Sequence, residues 1–256
     1  MKRVIFCGML LVLLSACASG TYNVPKREYQ SRVQVLGVVP LLVDSRPLNY
    51  PESAAVYAML RRSAQETHLQ LAEQIRSKRG YFDVRPLQIN ADLVGLSLLA
   101  GGGTHDETGR PLGYRLDRAT VAELARQNVV DALLVVVLSG EQVEETRRSR
   151  TRLESLRTTF SGIYATAVVV DREGEVLWAM AGSESYPAVP LQYPDFDEAY
   201  YNRAAAVAVK NISLKGAERI IAGEQSLDAP ELSKMYIEMF GAIASGISPR
   251  LFGSLP

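Results

Sequence analysis

The residues with the clearest potential for chemistry lie in one irregular stretch, residues 91–116. Gly101-Gly102-Gly103-Thr104 has the glycine content of a phosphate-binding loop. Such a loop also needs a lysine followed by Ser or Thr, and a helix N-terminus aimed at the anion. His105, Asp106 and Glu107 follow instead, and their carboxylates would repel a phosphate. Consecutive loop residues rarely converge on one metal ion. We therefore predict no nucleotide site, no metal site and no cofactor.

The groups of common hydrolytic sites are also scarce. The chain has two histidines, His68 and His105, and no Gly-x-Ser-x-Gly motif. His68 falls on the apolar stripe of a predicted helix, where a histidine usually belongs to the core boundary. Nothing selects a catalytic pair among the 28 carboxylates. We predict that the protein is not an enzyme. An enzyme or small-ligand binder that uses residues 91–116 remains the alternative.

A segment rich in arginine, residues 141–157, offers a different chemistry. It contains five arginines among four glutamates. Guanidinium groups bind carboxylates and phosphates in a bidentate manner, so the segment fits a protruding element that docks an anionic or acidic partner. A solvated surface whose charges pair with each other fits equally well. The candidate partner-binding arginines are Arg147, Arg148, Arg150 and Arg152.

An apolar stripe near the end of the chain, residues 232–247, repeats at i, i+3 and i+4 and predicts an amphipathic helix. The helix could pack on its own domain, dock in the groove of another subunit, or lie on a membrane. Methionines suit an adaptable contact surface. The candidate partner-binding residues on this stripe are Met235, Tyr236, Met239 and Phe240.

Length and composition exclude several classes. The 256 residues are 47% hydrophobic and 22% charged, with 28 basic and 28 acidic side chains. These values are typical of a globular protein and exclude disorder, collagen and a protein with many membrane spans. A net charge of zero argues against nucleic acid as a partner.

The amino terminus has the order of a bacterial export signal. Lys2 and Arg3 precede a short apolar run, Val4 to Leu14, which is too short to span a bilayer as a permanent helix. Leu14-Ser15-Ala16-Cys17 then resembles the lipobox of bacterial lipoproteins, in which the signal is cut before a cysteine that carries lipid. The resemblance implies a signal peptide at 1–16, lipid on Cys17 and, because Asp is absent from position 18, an outer-membrane location facing the periplasm.

Loss of the signal would also remove Cys7, which leaves no second cysteine for an intramolecular disulfide. The polar residues 17–31 are predicted to form a lipidated tether.

The remaining pattern predicts one α/β domain at 32–225, with a mixed parallel and antiparallel sheet, and a C-terminal helix and tail at 226–256. The predicted order is β-α-β-loop-α-β-β-β-α-α. The predicted strands are Arg32–Val43, Tyr81–Ile89, Val129–Ser139, Thr158–Val170 and Glu175–Ser183. The predicted helices span 51–79, a short segment after Asp117 or Thr120, Asp195–Ile221 and a segment after Asp228.

Several segments of the sequence resemble those of a known family. They are Val38-Val39-Pro40 after the first strand, the run Asp131 to Val137, and the hairpin Ala165 to Trp178, which reads ATAVVVDREGEVLW. Residues 32–222 resemble outer-membrane lipoproteins with a fold similar to the curli secretion protein CsgG and the TolB amino-terminal domain. The resemblance implies the fold more than the function, because these motifs are structural.

Together these features predict a non-enzymatic scaffold or accessory subunit of an envelope assembly or transport system. It would contact the membrane through its lipid and would bind envelope proteins or itself. A subunit of a CsgG-like secretion channel is the alternative that the resemblance implies. Residues 146–157 lack the alternation of apolar and polar residues that a membrane-spanning barrel strand needs, which disfavours a pore.

Overall fold

The computed structural model describes residues 20–201, 206–223 and 232–248. Its main feature is an eight-stranded sheet, with two small two-stranded sheets beside it. The strands are β1 (Thr21–Tyr22), β2 (Val35–Val38), β3 (Leu42–Asp44), β4 (Asp83–Pro86), β5 (Thr104–His105), β6 (Pro111–Gly113), β7 (Ala132–Arg148), β8 (Ser155–Asp171), β9 (Val176–Met180), β10 (Tyr186–Pro190), β11 (Gln192–Asp195) and β12 (Ala208–Asn211). The helices are α1 (Lys26–Arg32), α2 (Ser53–Ser77), α3 (Ala91–Leu98), α4 (Arg118–Asn128), α5 (Phe196–Tyr201), α6 (Leu214–Ala222) and α7 (Lys234–Gly246).

The main sheet is mixed, which confirms the predicted α/β class. Its order is β1-β9-β8-β7-β2-β4, with β3 on β7 and β10 on β8. β2 pairs in parallel with β4 and β7, and β3 pairs in parallel with β7. The strands on the other side of β7 pair antiparallel. Parallel pairs need crossover connections, which α2 and the segment containing α3 and α4 supply.

Helices cover both faces of the sheet, and β7 shows why. Its residues alternate between two hydrophobic cores, as the period of two in a strand requires. Leu134, Val136 and Leu138 join a core with α2, α6 and α7. Leu133, Val135 and Val137 join a second core with α3 and α4. The continuous apolar run of residues 132–138 is therefore buried on both sides, as the sequence predicted.

The β7–β8 hairpin is longer than the sequence indicated. Both strands have 17 residues, and their register runs without a break from Ala132↔Asp171 to Arg148↔Ser155. The prediction ended the first strand at Ser139 and started the second at Thr158. The apolar signal fades there, but the ladder continues because buried Val143 and Phe160 still alternate with exposed polar residues.

The predicted tether is partly folded into the domain. β1 adds to the edge of the sheet beside β9, with Tyr22 opposite Trp178, and α1 follows at Lys26. Tyr29 in α1 is fully buried and stacks edge-on to Tyr22, with ring centroids 5.1 Å apart. Burial of these aromatic rings stabilises a segment whose polar residues resemble a linker. Cys17 and the predicted signal peptide lie outside the described residues.

The prediction of one long helix from Asp195 to Ile221 is wrong for the middle of that range. The described part of this range contains α5, β12 and α6 instead. β12 pairs with β11, and Val209 in β12 is 38% exposed, so this strand is not deeply packed. The Ser213 side chain accepts a hydrogen bond from the Gly216 backbone and starts α6, a local cap that the periodicity of apolar residues did not reveal.

Candidate functional site

The connections around β2 create a topological switch point. The chain passes from β2 through α2 to β4 on one side, and from β4 through α3 and α4 to β7 on the other. In open α/β sheets, ligands bind in the crevice beyond the carboxyl ends of the strands at such a point. Asp44, at the end of β3, and Ser139, its partner in β7, mark this position.

A group of polar side chains lies at this position: Asp44, Arg46, Tyr114, His105 and Glu141, together named the polar cluster. Arg46 Nε donates to Asp44 Oδ2 at 2.7 Å, and the Tyr114 hydroxyl donates to the same oxygen at 2.5 Å. The Arg46 guanidinium lies over the Tyr114 ring, 5.2 Å from its centroid. One guanidinium nitrogen, Nη2 of Arg46, is buried without a hydrogen-bond partner.

Glu141 is the buried centre of the polar cluster, with 4% of its surface exposed. The Ser139 hydroxyl donates to Glu141 Oε1 at 2.5 Å, and His105 Nε2 lies 2.6 Å from Glu141 Oε2. Arg46 Nη1 lies 2.9 Å from the same His105 nitrogen. A guanidinium only donates, so His105 Nε2 donates to Glu141 in one tautomer and accepts from Arg46 in the other.

The polar cluster is not arranged like a hydrolytic triad. In such a triad the histidine lies between the serine and the carboxylate, so that it can take the serine proton. Here Glu141 lies between Ser139 and His105. These contacts attach the β5–β6 hairpin, which contains His105, to the long strand β7.

Burial changes the acidity of the tyrosines at the polar cluster. It raises the pKa of Tyr114, and the hydrogen bond to Asp44 raises that pKa further. Burial likewise raises the pKa of Tyr57, whose hydroxyl donates to the Arg46 backbone oxygen at 2.5 Å. For Arg46, burial opposes the charged form, but Asp44 and the neighbouring oxygens outweigh it and the pKa is raised. Both tyrosines therefore stay protonated donors at neutral pH.

Residues 91–116, predicted to be an irregular loop, contain α3, β5 and β6 and are ordered by their own polar groups. Asn90 caps α3, and Asp106 Oδ1 accepts hydrogen bonds from the Thr108 backbone, the Thr108 hydroxyl and the Arg110 backbone. These bonds hold the pKa of Asp106 below its usual value. Of the three candidate metal ligands, His105 joins the polar cluster and Asp106 closes the turn. The described residues contain no cluster of three or more acidic, histidine or cysteine side chains that could bind a metal ion.

Beyond this loop the β7–β8 hairpin continues as a free arm, defined here as residues 146–157. The last backbone hydrogen bond from β7 to another part of the domain runs from Glu144 N to Thr108 O at 2.8 Å, and Arg110 lies 3.8 Å from Glu145. Past this point the Arg147 side chain makes one further contact with the domain, to the Gln192 backbone oxygen. The arm then adds three cross-strand pairs and a six-residue loop, Ser149–Glu154. Arg152 N donates to Ser149 O at 2.9 Å, and Arg152 has φ +61°.

The structure divides the predicted partner-binding arginines into two groups. Arg147 is folded back: it pairs with Glu145, donates to the Gln192 backbone oxygen and lies over the Phe160 ring. The side chains of Arg148, Arg150 and Arg152 are exposed, and these side chains make no hydrogen bond or ion pair within the described part of the chain. Arg157, which the sequence placed in the same segment, pairs with Glu144 at 2.9 Å.

The candidate residues on the C-terminal helix lie in the core. Met235, Tyr236, Met239 and Phe240 in α7 are at most 4% exposed and pack with α2 and the sheet. This corrects their assignment as a partner surface: α7 packs on its own domain, the first of its three interpretations. Docking of these side chains to another chain would require α7 to leave its place.

Comparison with known proteins adds little to this description. The sequence matches no protein-family model, and it matches no curated protein. A solved structure, a neuraminyllactose-binding hemagglutinin homolog from Helicobacter pylori, aligns over 82% of this chain and 91% of that chain, with 11% identity and a TM-score of 0.33. Within the described residues, no helix is both long enough and apolar enough to cross a membrane.

Proposed function

We propose that the protein is a non-enzymatic binding subunit of the bacterial envelope, anchored by lipid on Cys17 to the outer membrane and facing the periplasm. Its recognition element would be the arm. The observation that carries the proposal is the arm itself: five arginines and one glutamate on a hairpin that extends past its last backbone hydrogen bond to the domain, with three arginines unpaired in the described chain. A surface that only solvates itself would pair these charges, as Arg147 and Arg157 do.

The position of the arm relative to the amino terminus supports the same proposal. Thr21 lies opposite Ala179, which lies opposite Val168 in β8. Val168 and the arm residue Ser155 are 13 positions apart on the same strand. At about 3.4 Å per residue this is roughly 44 Å. A protein held near residue 20 would thus present its arm far from the point of attachment, as an adaptor must.

The experiment that tests the proposal measures whether the arm is covered in cells. Thr151→Cys places a thiol at the arm loop, and Glu173→Cys places one at the exposed turn on the opposite end of the hairpin. We expect a membrane-impermeant maleimide to label position 173 in opened envelopes, while position 151 is protected until the envelope is solubilised. Equal labelling at both positions would show that nothing covers the arm and would exclude the proposal.

The anchor is tested separately by Cys17→Ala. We expect the variant to fold and to move from the membrane fraction to the soluble fraction, because acyl chains supply the membrane attachment. Retention in the membrane fraction would exclude lipid on Cys17 as the anchor.

A small-ligand site at the polar cluster is the second candidate. Its location at the topological switch point and the unpaired Nη2 of Arg46 favour it. A ligand that binds only the folded state raises the unfolding temperature. A ligand screen monitored by unfolding temperature, repeated with Arg46→Gln, tests this candidate: stabilisation that vanishes in the variant supports it, and an unchanged shift excludes this site.

A further inference from the structure

We propose that the loop of the arm binds the phosphate groups of an anionic lipid surface. This inference rests on the proposed function and names the partner of the same arm. Arg148, Arg150 and Arg152 supply three unpaired guanidinium groups within five residues, at the end of the hairpin. Leu153, next to them in the loop, is 88% exposed, the highest value among the large exposed hydrophobic residues of the described chain.

Hydrogen bonds between its two ends, Ser149 and Glu154, fix the conformation of the loop. The Ser149 backbone donates to Glu154 O at 3.0 Å, and the Glu154 backbone donates to the Ser149 hydroxyl at 3.2 Å. With Arg152 in the left-handed region, the chain turns sharply between these contacts. Because these contacts fix the loop, the 88% exposure of Leu153 is a property of its folded conformation.

The dimensions of the arm favour a membrane over a protein as the partner. A stable protein interface buries about 800 Å² on each side and involves 20–30 residues. The arm has 12 residues on a two-stranded ribbon whose strands lie about 4.8 Å apart. It is too narrow to supply such an area alone. Phosphates of a lipid surface need only point contacts, which guanidinium groups make well.

The chemistry of the loop matches that of an interfacial contact. Basic residues near an anionic membrane are attracted by its surface potential, and an apolar side chain beside them enters the boundary between headgroups and acyl chains. Glu154 is the one acidic side chain of the arm and reduces its net charge. The other two arginines of the arm pair with Glu144 and Glu145, at the base. The attraction is therefore concentrated at the end of the arm.

Vesicle binding by the chain from residue 18 tests the inference, because this form keeps every described residue and lacks Cys17. The vesicles contain phosphatidylglycerol in phosphatidylcholine, or phosphatidylcholine alone. We expect co-sedimentation with the anionic vesicles and not with the neutral ones, with binding that weakens as salt screens the charges. Replacement of Arg148, Arg150 and Arg152 by Gln is expected to reduce the partition coefficient on the order of 100-fold.

Two further variants separate a specific contact from general charge. Arg27, Arg62 and Arg115 are exposed and lie outside the arm, so their replacement by Gln removes the same charge and should leave binding within about twofold. Leu153→Ser keeps the charge and should weaken binding about tenfold. Equal losses in the two triple variants, or no binding to anionic vesicles, would overturn the inference. If position 151 is nevertheless protected in cells, the arm binds a protein and the proposed function survives without the lipid.

Discussion

His105, the last residue of β5, lies 2.6 Å from the buried carboxylate of Glu141 on β7. This contact joins residues 36 positions apart and fixes the loop over the carboxyl ends of the parallel strands. Because Ser139 donates to the other carboxylate oxygen, both oxygens of Glu141 have partners. Glu141 is thus the residue on which attachment of the loop depends.

Replacement of Glu141 is expected to destabilise the domain. Glu141→Ala leaves the fully buried Ser139 hydroxyl without its acceptor and removes the carboxylate oxygen beside His105 Nε2, which should cost about 1–3 kcal/mol of unfolding free energy in urea titrations. Glu144→Ala is the matched control, since it removes a pair with Arg157 in which the two side chains are 41% and 70% exposed. It should cost less than about 1 kcal/mol. Equal costs for the two variants would contradict the central role of Glu141.

Gly109 is expected to be the indispensable glycine of the same loop. It has φ +83°, and a Cβ at this position would overlap the Gln142 backbone oxygen on β7. Gly109→Ala should therefore cost about 2 kcal/mol or more and speed up amide exchange at residues 104–113. Gly102 has no atom within 4 Å of its Cβ position and no positive φ, so Gly102→Ala should be neutral. Similar exchange rates in both variants would show that the loop is not held at Gly109.

The sequence predicted the centre of the fold and missed its edges for one physical reason. The run at 132–138 and the stripe of α2 carry a strong hydrophobic period, and both elements formed as expected. β1 and β12 are short and partly exposed, so they have little apolar pattern, and tertiary pairing with β9 and β11 creates them. Local sequence does not report which strand a segment will pair with, whether that strand is near in the chain, as β11 is to β12, or far away, as β9 is from β1.

The polar cluster was missed for a related reason. Position in the sequence groups His105 with its neighbours Asp106 and Glu107, although its partners in the fold are Glu141 and Arg46. The composition of the arginine-rich segment predicts a protruding element, but it does not indicate which arginine side chains are free. That division depends on the alternation of β7 and on where the supporting loop ends, which only the folded hairpin defines.

Tyr81 is expected to connect the amino-terminal helix to the end of α7. Its hydroxyl lies 2.7 Å from the Tyr29 hydroxyl and donates to Ile247 O at 2.8 Å. Tyr81→Phe removes both contacts and should cost about 1–3 kcal/mol by urea unfolding. Tyr193→Phe is the control, because Tyr193 is 42% exposed, and it should lower the unfolding free energy by less than about 0.5 kcal/mol. A neutral Tyr81→Phe would mean that water replaces these bonds.

The tyrosines of this region also predict how stability changes in alkali. Burial raises the pKa of Tyr22 to about 12 and raises those of Tyr29 and Tyr81 as well. The folded state therefore holds these protons above pH 10, where the unfolded chain releases them. Their contribution to stability is fully present below pH 10; that of Tyr22 is lost as the pH rises through about 12, and the loss from Tyr29 and Tyr81 continues above that pH. Urea unfolding across this range should show the decline, and Tyr22→Phe should reduce it. A stability independent of pH above 10 would contradict the burial of these hydroxyls.

Removal of residues 226–256 is expected to unfold the protein rather than change its oligomeric state. The truncation deletes α7, whose Met235, Tyr236, Met239, Phe240 and Ile243 are buried in the main core. Burial of each such side chain contributes about 1.5–3 kcal/mol, so the total is on the order of 10 kcal/mol and comparable to the whole stability of a domain. We expect the chain from residue 18 to show a cooperative urea transition and the truncated chain to show none. The opposite result would be a truncated chain that folds as a monomer while the chain from residue 18 is an oligomer. It would mean that α7 docks between subunits, because only a helix supplied by a second copy could then cover the same core.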